Sequence, residues 1–319
     1  MIAYMIMCHK NAQQVLRLAK KLISSKSDVI IHADSAMSDD EYNLLLEASY
    51  SIKGIYLTEQ RIHGVLDTRS LVDIAMEMVI SIDKVQDAEN KHYQYYALLS
   101  GQDYPIKSLS HIISQLDVSY PKPFIDCTPY DSGNWIYYKF KGNSFVHNFK
   151  RKIFKWFPNR RNLFRKFLVL LHIISSKIVE HLPTNHYHKL NKMNIELYGG
   201  SAWWILPDTA VSFIKNEYES KSDLVELLLN TNTPEETFFQ IMTMRSPVKN
   251  LVEINPKDMV LQNCKTWAYF SDDGKPFKGH PYIFTENEFN KLADSDCWFA
   301  RKFDMDVDEK IFDMLDNIN

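Results

Sequence analysis

The chain opens on a short apolar run, Ile2–Cys8, which lacks the basic flank of a signal peptide and is too short to cross a bilayer; it predicts a strand buried on both faces. The period then changes to helical, with Val15, Leu16, Leu18 and Leu22 on one side and Lys10, Arg17, Lys20 and Lys21 mostly elsewhere. A second apolar run follows at Asp28–Asp34, and strand, helix and strand within roughly thirty residues make a parallel βαβ unit. Tyr50–Leu57 contains a third strand, Ser70–Ile82 a helix presenting Ile74, Met78 and Ile82, and Tyr95–Leu99 a further strand. Later, Trp203–Leu206 reads as a buried strand closed by Pro207-Asp208. Helical spacing returns over Asp208–Tyr218 and Asp223–Leu229, ahead of the polar turn Asn230-Thr231-Asn232. The alternation defines an α/β fold.

Composition adds little to this pattern and excludes some classes. With 319 residues, 45% of them hydrophobic, the chain can bury a sizeable core and is not disordered. Lys and Arg number 37 against 40 Asp and Glu, a net charge of −3, so no global field marks a nucleic-acid-binding protein. Cys8, Cys127, Cys264 and Cys297 are too scattered for a metal-ligand pair or a disulfide framework, and predict reduced thiols in a cytosol. Charge is nevertheless uneven. Phe149–Phe167 carries eight Lys and Arg and no acidic residue, interleaved with aromatic and aliphatic side chains. A solvated helical face, a nucleic-acid surface and an interfacial segment on anionic lipid all fit that pattern; no nucleic-acid-binding module accompanies it.

Candidate chemistry lies where the βαβ unit places loops at the carboxyl ends of strands. His9 and the His32-Ala33-Asp34 loop are positioned to meet a nucleotide, or are ordinary loop residues. Asp103 follows the Tyr95–Leu99 strand and is either a turn residue ahead of Tyr104-Pro105 or a sugar or ribose contact; it offers one carboxylate, where a hard metal holding a diphosphate needs more oxygen ligands. Gly199-Gly200 suits a positive φ or a close backbone approach. Thr233-Pro234-Glu235-Glu236 has the pattern of a capping box with proline at the first helical position, yet a carboxylate beside Gly-Gly-Ser and paired Trp residues also suits a general base.

Four stretches in register carry a resemblance: Tyr198-Gly199-Gly200-Ser201-Ala202-Trp203-Trp204, Thr233-Pro234-Glu235-Glu236-Thr237-Phe238-Phe239, Leu99-Ser100-Gly101-Gln102-Asp103-Tyr104-Pro105 and Phe299-Ala300-Arg301-Lys302-Phe303-Asp304. From Ala3 to Asp304 the chain resembles the core-2/I-branching β-1,6-N-acetylglucosaminyltransferase and peptide O-xylosyltransferase family, glycosyltransferase family 14, and bacterial members in particular. The resemblance implies a single GT-A-like domain over residues 1–319 with a Rossmann-like mixed sheet flanked by helices. Within it fall a nucleotide-binding half (1–125), a basic and aromatic helical insertion (126–195), an acceptor and catalytic half (196–304) and a C-terminal tail (305–319). The family's Trp-Gly-Gly ahead of the third helix is replaced here by Leu66-Asp67-Thr68.

By that resemblance the reaction is inverting transfer from a UDP-sugar, with Glu236 as base. Lys302 matches the late family Lys that faces the diphosphate; Arg301 assists it, and Lys265, placed in the strand Cys264–Phe270, substitutes for a family Arg with a shift of one to three residues open. His9, His32 and Asp34 meet the nucleotide. Asp103, Gly200, Ser201, Trp203, Trp204 and Glu235 are assigned to the sugar and acceptor, although both Trp residues also read as core. No metal or other cofactor is expected. The partners are a UDP-sugar, a glycan or lipid-linked glycan acceptor and, through Phe149–Phe167, an anionic membrane surface, but not nucleic acid; the location is cytoplasmic or on the inner face of the membrane. A glycoside hydrolase, or a non-catalytic carbohydrate- or membrane-binding protein, is the alternative.

Overall fold

The computed structural model describes residues 1–130, 168, 171, 186–256, 262–268 and 281–318. The segment Phe149–Phe167 and most of the 126–195 insertion lie outside the described residues. The first half runs β1 (Ile2–Cys8), α1 (Ala12–Leu22), β2 (Ser27–Ala33), α2 (Asp39–Ser51), β3 (Ile55–Leu57), α3 (Ser70–Glu89), β4 (Tyr95–Ser100), β5 (Asp103–Pro105), α4 (Leu109–Ser119), β6 (Phe124–Ile125) and β7 (Thr128–Pro129). The second half continues with α5 (His186–Lys192), β8 (Tyr198–Gly199), β9 (Trp204–Pro207), α6 (Asp208–Ser220), α7 (Asp223–Leu229), a 3-10 turn at Pro234–Glu236, α8 (Phe238–Arg245), β10 (Thr266–Ala268), α9 (Phe289–Ala293), β11 (Phe299–Arg301) and α10 (Lys310–Asp316).

Among the described residues six strands form one mixed sheet in the order β3-β2-β1-β4-β9-β6. β1 to β4 pair in parallel, and β9 enters antiparallel between β4 and β6. Successive side chains of a strand face opposite sides, so each apolar run builds two cores. Tyr4, Ile6, Val29, Ile31 and Leu99 pack on one face with α1 and the C-terminal segment. Ala3, Met5, Ile30, Tyr96 and Leu98 pack on the other with α3, α6, α7 and α8. The four cysteines are free and buried, and burial pushes the Cys297 thiol up to about 11.

The C-terminal segment packs against the first half of the chain. Ile311, Phe312 and Leu315 are fully buried, Phe312 lies 4.8 Å from the Tyr104 ring, and the Tyr104 hydroxyl donates to Asp316 at 2.6 Å. Arg17 of α1 donates to the same carboxylate at 2.7 Å. Gln14, buried on α1, ties the three parts together: its Nε2 donates to the carbonyls of Gly101 (2.8 Å) and Phe303 (3.1 Å), and its Oε1 accepts from Met305 (2.9 Å). A second small sheet, β10-β11-β5, sets β5 antiparallel to β11 with Asp103 opposite Arg301.

The Gly-Gly pair answers a close approach rather than a left-handed backbone; neither glycine has a positive φ. A Cβ on Gly200 would stand 1.8 Å from the Asp126 carbonyl oxygen. The backbone cannot easily retreat, because Gly200 N–H donates to Glu236 O at 2.9 Å and Tyr198–Gly199 pairs with Thr128–Pro129. Gly200→Ala should therefore cost about 3 kcal/mol in urea denaturation; a parental midpoint would show that the contact is dispensable.

Candidate functional site

Two clusters meet at the carboxyl ends of the central strands. In the first, Asp34 follows β2 and its N–H donates to Cys8 O at 2.8 Å, which fixes the loop to the end of β1. Its carboxylate accepts from the amides of Ala36 and Gly64, both at 2.7 Å, and from His63 Nδ1 at 2.9 Å. Desolvation opposes ionisation, but these donors outweigh it and hold Asp34 below the usual carboxylate range. Arg61 donates to the carbonyls of Asp34 (2.9 Å) and Met37 (3.1 Å) and lies 4.0 Å over the Tyr42 ring. His32 departs from the loop position expected of it. It lies within β2, is 1% exposed and accepts from Ile62 N–H at 2.9 Å, while burial depresses it to about 4, so it is a neutral structural acceptor. His9 is exposed at the end of β1.

The α1 N-terminus, where a doubly wound fold commonly receives a phosphate, is already served by side chains. Glu41 accepts from Ala12 N–H at 3.2 Å and Asn11 from Gln14 N–H at 3.2 Å. Lys10 is held by Asp304 at 2.8 Å. The adjacent depression of about 350 Å³ is walled by Glu41 and Asp306 as well as Lys10, which suits a diphosphate poorly.

Positive charge enters instead at the second cluster. Asp103 is fully buried; its Oδ2 accepts from Ser100 N–H at 2.8 Å, and its Oδ1 faces Arg301 Nε at 3.6 Å without a hydrogen bond. Burial pushes the Asp103 carboxyl up to about 6, against the opposing pull of Arg301 and the Ser100 amide. Arg301, 9% exposed, places its guanidinium 4.2 Å from the centre of the Trp203 ring. Lys302 is half-buried, and desolvation, then Arg301, lowers its pKa. Desolvation and the Lys10 charge also lower His9, which feels Asp34 and Lys302 as well, so Lys302 lies at the junction of the two clusters. Lys265 does not join them. It precedes β10 with φ 60°, its ammonium lies 5.8 Å over the Trp298 ring, and the charges acting on Lys302 come from Arg301, Asp103 and Lys10.

The Gly200–Trp203 loop closes the site from the other side. Gln240 Nε2 donates to Ser201 O at 2.7 Å, and Trp203 N–H donates to Ser201 Oγ at 3.3 Å. Trp204 is core, 1% exposed and 5.0 Å from the Phe239 ring, which leaves half-buried Trp203 as the aromatic surface available to a ligand. The capping box expected at Thr233 does not form. Thr233 adopts φ 51° with no side-chain cap, Pro234–Glu236 make a 3-10 turn, and α8 begins only at Phe238. The turn separates the two carboxylates: Glu235 is buried and accepts from Asp67 N–H at 3.4 Å, whereas Glu236 is half-buried with its carbonyl on Gly200. Sequence reasoning missed Arg61, His63, Gly64 and Gln240. The polar cluster Arg61-Ile62-His63-Gly64 just past β3 was the available signal for the first three.

No group of three His, Cys, Asp or Glu suited to a metal ion occurs among the described residues, and none of their helices is long and apolar enough to cross a membrane. No protein-family model matches the chain. It is 22% identical over 99% of its length to the beta-1,3-galactosyl-O-glycosyl-glycoprotein beta-1,6-N-acetylglucosaminyltransferase 4 of Danio rerio, spanning 68% of that protein. It is 21% identical to a human enzyme of the same description, with 99% and 68% covered, and 22% identical to xylosyltransferase 2 of Rattus norvegicus, with 99% of this chain but only 33% of that protein covered. These distant similarities support the resemblance carried by the four motifs.

The raised Asp103 carboxyl fixes a pH signature. Between its ordinary value of 3.8 and its folded value of about 6, the folded state binds more protons than the unfolded state. Its contribution to stability therefore falls as pH rises across that window and is constant on either side. Asp103→Asn removes the titration, so parent-minus-variant stability in denaturant should decline between about pH 4 and 6 and level off above; a flat difference would contradict the burial assigned to this carboxyl.

Proposed function

We propose that the chain is an inverting glycosyltransferase that moves N-acetylglucosamine or xylose from a UDP-sugar to a hydroxyl of a glycan acceptor. The observation that carries the reading is the placement of Glu236. Glu236 is half-buried, and its backbone carbonyl is fastened to Gly200 beside the Ser201–Trp203 loop. Glu236 takes the proton from the acceptor hydroxyl; the hydroxyl oxygen bonds to the anomeric carbon from the face opposite the nucleotide, and the bond from that carbon to the diphosphate oxygen breaks. Lys302 neutralises the charge gathering on the departing diphosphate, the work a bound cation does in other transferases, so the reaction is metal-independent. Asp34 and His9 face the nucleoside end, and Trp203 offers its ring to a pyranose.

The relatives' names support N-acetylglucosaminyl or xylosyl transfer as the chemistry. An acceptor in bacterial surface polysaccharide or lipopolysaccharide assembly, reached at the inner face of a membrane through Phe149–Phe167, completes the proposal; that segment's eight cations and interleaved aromatics suit an anionic surface. The hydrolase alternative needs two carboxylates across a scissile bond. Glu235 is buried on Asp67 and Asp103 lies wholly inside against Arg301, so neither of the other two candidate carboxylates faces solvent as a second acid.

Glu236→Gln separates structure from chemistry. The amide is isosteric but cannot accept a proton from a hydroxyl at neutral pH, so the variant should melt within about 2 °C of the parent and keep its UDP affinity. Release of UDP from the donor should fall by roughly 10²-fold. Glu235→Gln, a change at a buried carboxylate, should instead lower the melting temperature and cost turnover far less. Near-parental turnover in Glu236→Gln would remove Glu236 from the base role.

A further inference from the structure

We propose that Arg301 is a positioning residue: held between Asp103 and Trp203, it fixes the indole ring that receives the sugar and does not itself bind the diphosphate. The word sugar rests on the function proposed above; the clamp does not. Arg301 and Asp103 are register partners on β11 and β5, and the buried carboxylate supplies the counter-charge that a buried guanidinium requires. Arg301 Nε has no hydrogen-bond partner, so a bidentate carboxylate fork does not set its orientation. The plane is set by the ring. The guanidinium carbon lies 4.2 Å from the Trp203 centroid, within stacking range, in a desolvated setting where such a contact is strongest.

Trp203 needs such a clamp because of its place in the fold. It precedes β9 and is half-buried, while its neighbour Trp204 is sealed in the core against Phe239. Its amide is held by Ser201 Oγ at 3.3 Å, which fixes the backbone and leaves the ring plane to side-chain contacts. The stack joins three separate segments: β5 through Asp103, β11 through Arg301 and the Gly-Gly-Ser loop through Trp203. Lys302, one residue on and half-buried, remains the charge that faces the nucleotide. Lysine at position 301 would keep a charge opposite Asp103 but has no plane to lay on the indole.

The test compares the parent, Arg301→Lys, Arg301→Met, Trp203→Phe and each double variant. Subtracting the emission of the Trp203→Phe protein isolates the Trp203 component without any ligand. In Arg301→Met, and in Arg301→Lys should the Met variant fail to fold, acrylamide quenching of that component should rise about twofold as the stack is lost. Calorimetric UDP affinity should stay within about twofold of parental, while UDP release from UDP-N-acetylglucosamine falls about tenfold in each single variant and little further in the double. An unchanged Trp203 component overturns the proposal. So does a tenfold loss of UDP affinity in both Arg301 variants, which would return Arg301 to the diphosphate, and so do multiplicative losses in the double variant. A parent that binds no UDP would overturn the proposed function, while the ligand-free quenching comparison would still decide the role of Arg301.

Discussion

The site depends on one backbone contact, the seating of Gly200 against the Asp126 carbonyl, where no side chain fits. That contact holds the loop close enough for Gly200 N–H to reach the Glu236 carbonyl and for Gln240 to reach the Ser201 carbonyl. A carboxylate at the end of a 3-10 turn and an aromatic ring ahead of a strand thereby become neighbours of one loop. The arrangement is enforced by one hydrogen bond between main-chain groups and one donated by the Gln240 side chain. It also explains why Trp203 and Trp204, adjacent in sequence, have different fates: β9 continues the sheet and buries Trp204, while Trp203 stays in the loop.

Charge is distributed to match. The helix N-terminus beside β1 has acceptors already, Lys10 is neutralised by Asp304, and Asp34 is saturated by two amides and His63. Arg301 is balanced by Asp103 in the interior. Lys302 is left half-buried between the two clusters, where partial desolvation strengthens its interaction with an anion relative to bulk water. In the proposed function this is the charge that a diphosphate meets.

The long elements were legible in the sequence because their periodicity is strong. The apolar runs at β1, β2 and β4 and the helical spacing of α1, α6 and α7 are found where the pattern puts them. Short elements were not. β5 and β11, three residues each, have no period to read, so the pairing of Asp103 with Arg301 could not be foreseen. Thr233-Pro234-Glu235-Glu236 matched a capping pattern, but tertiary contacts drew the turn into a 3-10 form, and the Thr–Glu pair that does cap is Thr285 with Glu288, where both the Thr285 amide and hydroxyl donate to the carboxylate at 2.9 Å. His32 read as a loop ligand because its neighbours Ala33 and Asp34 end the strand; one further residue inward made it core. Ile311, Phe312 and Leu315 are buried from the short helix Lys310–Asp316 and make the C-terminal stretch part of the fold.

The central claim is that a fixed lysine, rather than a bound cation, receives the nucleotide diphosphate. Calorimetric titration of UDP into chelator-treated protein, with and without added manganese, tests it most directly. The account predicts the same affinity in both titrations, and a loss of at least about tenfold for Lys302→Ala in either. Binding that appears only with manganese, or that is indifferent to Lys302→Ala, would contradict it.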